Sequence, residues 1–254
     1  MIRFEHVSFS YGREPVLTDV SFEVKAGETV VVLGVSGSGK STILKLVSGL
    51  VRPQEGRVFI NNEDMTHAPE GEWTKIRPRI GFVFQGGALF DSMTVGENIG
   101  FTLLEHTQKP MDEIEQTVRE TLRFLNLSED LIDTLPDSLS GGMQRRVAIG
   151  RAVAAIDPWI MLYDEPTTGL DPISTEAITE LIVKLREVKG VSSIVVTHQI
   201  ADAFEVTNHF VVLHEGEIVF DGVGTDLVNS EDARVREFLA PFMESVKAIP
   251  AVCP

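Results

Sequence analysis

Apolar and polar residues alternate through "IRFEHVSFSY" and "VLTDVSFEV", a period of two that predicts strands with one face exposed. A turn at "KAGE" separates them from "TVVVLG", where alternation gives way to a continuous apolar run, as in a strand covered on both faces. Residues 40–48 then read as a helix stopped by Gly49. After the Pro/Gly turn "RPQEG", "RVFINN" returns to a strand pattern. In the middle third, Ile114, Val118, Leu122 and Leu125 recur at helical spacing and predict an amphipathic helix over 111–127. A second helix is expected from about Gly142 to Ala155. Strand-like runs resume at "WIMLYDE", at "SSIVVTH" and in "HFVVLHEGEIVFDG", a hairpin turning at Glu215-Gly216. Ile173, Ala177, Ile178, Leu181, Ile182 and Leu185 mark a helix between the first two of these, and a short one lies near "DARVREFLAPF".

Strands alternating with helices indicate an α/β fold with a mainly parallel sheet. The expected organisation is a core of residues 1–85 and 159–225 with an antiparallel β layer at its N-terminal end. A helical subdomain, 86–158, is inserted into it, and a helix and tail follow over 226–254. The longest apolar runs fall far short of the ~20 residues a membrane helix needs, and "MIRFEHVSFSYG" has no basic-then-apolar signal pattern. The single cysteine, Cys253, excludes an intrachain disulfide. A soluble, cytoplasmic protein is expected. The net charge of -16 over 254 residues argues against a nucleic-acid partner, which would need a basic face, and against electrostatic docking on anionic lipid.

Candidate chemistry begins at "GVSGSGKST", between the buried strand and the first helix. Gly34 to Ser41 fits G-x(4)-G-K-S/T in strand–loop–helix context, a phosphate-binding loop. Its glycines let backbone N–H groups turn around phosphate oxygens, while the helix N-terminus faces the same charge. Gly34, Val35, Ser36, Gly37, Ser38 and Gly39 form the cradle. Lys40 reaches the β- and γ-phosphates, Ser41 coordinates Mg²⁺, and Thr42 contributes at the α-phosphate. No N-K-x-D base-recognition string is present, which disfavours a GTPase.

"WIMLYDEPTTGLDP" places Asp164-Glu165 at the end of an apolar strand. Asp164 is assigned to Mg²⁺, and Glu165, pointing elsewhere by strand alternation, to polarising the attacking water as general base. In "LSGGMQRRVAIGRA", Ser140 can cap the following helix, and Gly141-Gly142 leave its N-terminus open as a second anion site. One ATP needs no second such site from the same chain, so this one is expected to serve a partner chain's nucleotide.

A phosphate loop, then "LSGG" with a nearby glutamine, then an apolar strand ending in Asp-Glu-Pro, resembles the ATP-binding-cassette (ABC) ATPases from Ile2 to Gly222. The resemblance implies further roles: Tyr11 stacks on adenine, Gln85 contacts Mg²⁺ and the attacking water, Asp171 communicates across a dimer, and His198 contacts the γ-phosphate. It also implies a homodimer sandwiching two ATP molecules, each site completed by Ser140, Gly141, Gly142 and Met143 of the other chain. Two positions depart from the pattern: Met143 stands where the signature glutamine usually lies, with Gln144 after it, and Gln199 replaces an acid often found after the histidine. The interval between loop and signature leaves no room for the coiled coil of a DNA-maintenance ATPase, and translation-associated relatives usually carry two cassettes.

A transporter subunit is therefore expected, peripheral on the inner face of the cell membrane through a separate permease. "FVFQGGALFDSMTVGENIGFTLLEH" with "LYDEPTTGLDPI" resembles the ATPases of the maintenance-of-lipid-asymmetry (Mla) group and the related cell-entry-linked lipid transporters. That implies lipid cargo, a cell-entry-type lipid-binding protein and a small regulatory subunit. The alternative is an importer ATPase for a small solute.

Overall fold

Residues 1–154 and 158–243 are described by a computed structural model. Cys253, and residue 155 at the end of the expected signature helix, lie outside them. Strands β1 (Ile2–Tyr11) and β2 (Glu14–Val24) pair antiparallel, with Phe4 opposite Phe22 and their rings stacked at 4.8 Å. After β3 (Thr29–Leu33) and α1 (Lys40–Val47), β4 (Glu55–Ile60) pairs with the other side of β1, and β5 (Glu63–Asp64) pairs with β4. This sheet runs β2-β1-β4-β5.

The chain continues through α2 (Glu70–Ile76), β6 (Ile80–Val83), α3 (Val95–His106), α4 (Met111–Phe124), α5 (Gly141–Ala154), β7 (Ile160–Asp164), α6 (Pro172–Lys189), β8 (Ser192–Thr197) and α7 (Ile200–Val206). It closes with β9 (His209–His214), β10 (Glu217–Val223), α8 (Gly224–Val228) and α9 (Ala233–Leu239). The second sheet runs β10-β9-β3-β8-β7-β6, parallel except for the β9–β10 hairpin. Every residue of β3 is buried, as its unbroken apolar run predicts.

This sheet has a core on each face. Val31, Leu33, Tyr163 and Val195 point into a cluster shared with Ile99, Leu122, Val147 and Ile182 of the helices. Val30, Val32, Leu162 and Val196, one residue out of step, point into a cluster with Ile43 and Leu44 of α1 and with Phe4, Val7 and Val20 of the antiparallel layer. The period of two along each strand therefore divides one apolar run between two cores.

Some elements differ from the pattern's expectation. The helix expected over 111–127 stops at Phe124 because Asn126 takes a left-handed φ of 54°, while Leu125 and Leu127 remain buried. Ile173, counted on the apolar face of its helix, is 80% exposed; the buried stripe of α6 begins at Ile178. The short elements α2, β6 and α7 were not anticipated, being too brief for a period to register. Among the described residues, no helix is long and apolar enough to cross a membrane.

Candidate active site

The loop after β3 turns tightly because its glycines have neighbours where side chains would be. A Cβ on Gly39, whose φ is 104°, would meet Leu17 Cδ2 and Val16 O at 2.8 Å, so only glycine brings this turn so close to β2. Lys40 opens α1 and folds back over the loop, its Nζ donating to Gly34 O at 2.7 Å and Val35 O at 3.0 Å. Burial pushes its pKa below the ordinary value, opposed by the Glu165 and Asp164 carboxylates, and Glu165 Oε1 lies 3.9 Å from Nζ. Ser38 is buried, and its hydroxyl has no partner within the protein.

The end of β7 delivers the two acids in different directions. Asp164 Oδ1 accepts a hydrogen bond from Ser41 Oγ at 3.0 Å, and burial raises its pKa while the serine opposes that rise. Glu165 sits just past the strand with a left-handed φ of 47°, which swings its carboxylate away from that of Asp164. That carboxylate accepts from Thr168 Oγ1 at 2.9 Å and Thr197 Oγ1 at 3.2 Å, and meets His198 Nδ1 at 2.9–3.0 Å. Neither threonine was anticipated; each sits one to three residues from a recognised motif residue, with no period or charge to mark it.

Lys40, Ser41, Thr42, Gln85, Asp164, Glu165 and His198 converge on one cleft of about 750 Å³, whose floor is Val35, Ser36, Gly37 and Gly39. Gly34 and Ser38 form the loop's inner side. Other expected residues lie elsewhere. Tyr11 is outside the cleft lining; it is 47% exposed, edge-on to Phe9, with its hydroxyl 3.2 Å from Lys45 Nζ. Ser140, Gly141, Gly142 and Met143 are also absent from the lining. Ser140 Oγ accepts from the Met143 N–H at 3.3 Å, capping α5. Asp171 caps α6 by accepting from the Ser174 N–H at 3.0 Å and Ser174 Oγ at 2.6 Å, contacts that hold its pKa below the usual value. A Cβ on Gly142 would lie 2.6 Å from Ser174 Cβ, so the signature turn and the Asp171 cap are packed together.

A further residue that sequence reading missed joins these parts. Arg145, on α5, is buried; its Nη1 donates to Phe84 O at 2.9 Å and Glu165 O at 3.4 Å. Arg151, one and a half turns on, donates to Gly87 O at 3.0 Å and Ala88 O at 2.7 Å. The two arginines hold both sides of the Gln85 loop. Three arginines, two of them adjacent, on a largely apolar helix, "MQRRVAIGRAV", were the only hint.

The cleft fits a nucleoside triphosphate. A bent glycine loop, an unpaired buried hydroxyl and a lysine whose donors rest on loop carbonyls are groups that phosphate oxygens would satisfy. An ABC transporter family model matches residues 17–168, which span the loop, the signature and both acids. The chain belongs to the ABC transporter family. It is an ATPase cassette of that family. It is 34% identical over 239 residues to the intermembrane phospholipid transport system ATP-binding protein MlaF of Haemophilus influenzae, covering 94% of this chain and 90% of that protein. It is 37% identical over 238 residues to the probable ribonucleotide transport ATP-binding protein mkl of Mycobacterium leprae, covering 94% of this chain and 68% of that one. Among solved structures, the ATP-binding cassette MJ0796, a dimer in a post-hydrolysis state bound to ADP and Pi, superposes with a TM-score of 0.79 at 37% identity, covering 88% of this chain and 98% of the other.

Proposed function

We propose that this ABC cassette drives phospholipid trafficking through a separate membrane permease, coupling ATP-driven closure of a homodimer to transport. The observation that carries the lipid reading is the 34% identity to MlaF, which extends over nearly the full length of both chains.

In each site, Lys40 holds the β- and γ-phosphates and leaves its present carbonyl partners to do so. Ser41 and Asp164 offer a hydroxyl and a carboxylate to Mg²⁺, the hard oxygen donors such a cation takes, with Gln85 beside them. Nucleotide phosphates would complete the oxygen shell that these residues begin. When bound, the ion would supply positive charge against that developing on the transferred phosphoryl group. Glu165 accepts the proton of the attacking water, its carboxylate oriented by Thr168 and Thr197, and His198 stands at the γ-phosphate end. Ser140, Gly141, Gly142 and Met143 face the nucleotide of the partner chain, Asp171 relays between the two sites, and Tyr11 stacks on the base. The Gln85 loop and the helical insert of 86–158 dock the permease on the cytoplasmic side of the membrane. A cell-entry-type lipid-binding protein and a small regulatory subunit complete the assembly.

The similarity to mkl favours a second reading, import of a small solute such as a nucleotide. Purification from native membranes in mild detergent, with mass spectrometry of proteins and lipids together, separates the two. A permease with a cell-entry-type protein and enriched phospholipid is expected. A permease with a small-solute binding protein and no enriched lipid would overturn the lipid reading.

A further inference from the structure

Three non-glycine residues around α5 take a left-handed φ: Ala88 at 47°, Asn126 at 54° and Glu165 at 47°. Each gives its carbonyl to a different arginine of that helix. Arg151 Nη1 donates to Ala88 O at 2.7 Å, Arg146 Nη1 to Asn126 O at 3.0 Å, and Arg145 Nη1 to Glu165 O at 3.4 Å. Such a backbone is unfavourable for a residue with a Cβ and persists only where its surroundings over-determine it.

Of the three, Glu165 carries the chemistry, and its conformation is opposed twice. It precedes Pro166, and a residue before proline favours extended backbone. Both of its main-chain groups are held. Its N–H donates to Val196 O at 2.9 Å, and its carbonyl accepts from the Thr168 N–H at 3.3 Å as well as from Arg145. The first contact comes from the neighbouring strand and the second from its own turn. Only Arg145 reaches this peptide from the helical layer.

The choice of arginine at 145 is costly. The side chain is buried, and burial pushes its pKa below the ordinary value. Packing alone would be served better by an apolar residue, which carries no desolvation cost. What arginine adds is one nitrogen that bonds two main-chain carbonyls, Phe84 O and Glu165 O. The φ of Glu165 in turn decides where its carboxylate lies. Relaxing it to an ordinary negative value would rotate the side chain by more than a right angle. That rotation would take the carboxylate from Thr168, Thr197 and His198.

We infer that Arg145 is a positioning residue for the base: by holding the Glu165 carbonyl it maintains the left-handed peptide that aims the carboxylate into the cleft. This rests on Glu165 being the base, as proposed above.

Single-turnover phosphate release by the full chain, in excess over ATP, tests this in the parent, R145M, E165Q and R145M/E165Q. Methionine keeps an unbranched apolar stem in the buried space and removes the donor. R145M should slow release about thirtyfold, part of the 10²–10⁴ that a positioned base supplies, with the ATP Kd within twofold of the parent's. In E165Q, which has no base left to place, the same change should cost less than twofold. R145K, which returns a charged donor, should release phosphate at least fivefold faster than R145M; if R145M does not fold, R145K takes its place in the cycle, with a smaller loss that again vanishes in E165Q. An equal loss with and without Glu165, which an action through the Gln85 loop would also give, would overturn the inference. So would a loss that appears in the ATP Kd, release by R145M within threefold of the parent, or R145K no faster than R145M. Release by E165Q alone within tenfold of the parent would instead overturn Glu165 as the base.

Discussion

Replacing Glu165 by glutamine tests the chemistry of the cleft at one atom. Glutamine keeps the length and shape of the side chain, and its amide oxygen still accepts from Thr168 and Thr197, which now sit at 2.9 and 3.2 Å. What disappears is the basic oxygen and the negative charge. Loss of a positioned general base costs 10²–10⁴-fold in turnover, about 2.7–5.4 kcal/mol on the barrier at 1.36 kcal/mol per decade. Binding moves the other way. The lost charge lies 3.9 Å from Lys40 Nζ, where an incoming phosphate must also sit. Two like charges about 4 Å apart repel by up to about 4 kcal/mol at an effective dielectric of 20, and even a fifth of that relieved lowers Kd about fourfold. The expected E165Q protein therefore binds ATP at least threefold more tightly, releases phosphate at least a hundredfold more slowly, and accumulates as an ATP-dependent dimer. Single-turnover phosphate release, equilibrium ATP binding and size-exclusion chromatography with and without ATP measure the three. Phosphate release within tenfold of the parent would refute the assignment of the base, whatever the binding result.

Three further outcomes follow from the geometry. Ser41→Ala removes the hydroxyl that bonds Asp164 at 3.0 Å, so half-maximal hydrolysis should need at least tenfold more Mg²⁺, read from a Mg²⁺ titration of phosphate release. Gly142→Ala places a methyl 2.6 Å from Ser174 Cβ and should reduce turnover at least tenfold while leaving ATP affinity of the monomer within twofold, because the signature turn is absent from its own chain's cleft. His209 is held by Asp221 and Glu28, both at 2.7 Å, and these bonds raise its pKa against the cost of burial. Its contribution is complete below the unfolded value near 6.5 and fades as pH rises through the higher folded value. The melting temperature of His209→Ala should accordingly fall below the parent's at pH 6 and approach it by pH 9.

Much of the site was legible because its chemistry sits in short contiguous strings. "GVSGSGKST" needs only its own backbone and the strand before it, so seven cleft residues could be named without any tertiary information. Asp164 and Glu165 were separable by strand alternation, although the left-handed φ of Glu165, not the pleat alone, turns its carboxylate aside. Contacts made by distant segments were invisible. Nothing local marks Thr197 or Arg145 as partners of Glu165, or Phe238 as part of the cleft lining; each arrives through the order of strands in the sheet or the packing of a helix. Ile173 shows the opposite failure, an apolar residue in phase with a helical stripe that nonetheless faces outward at the first turn.

Arg145 gives the molecule a mechanical property. A guanidinium buried inside α5 that grips the main chain at Phe84 and at Glu165 acts as a rivet through three plates: α5 itself, the strand end that leads to Gln85, and the strand end that carries Glu165. Carbonyl groups in a desolvated place do not give up such a donor freely. A tilt of α5 therefore carries the main chain at Phe84 and at Glu165 with it, so the start of the Gln85 loop and the end of β7 shift together rather than separately.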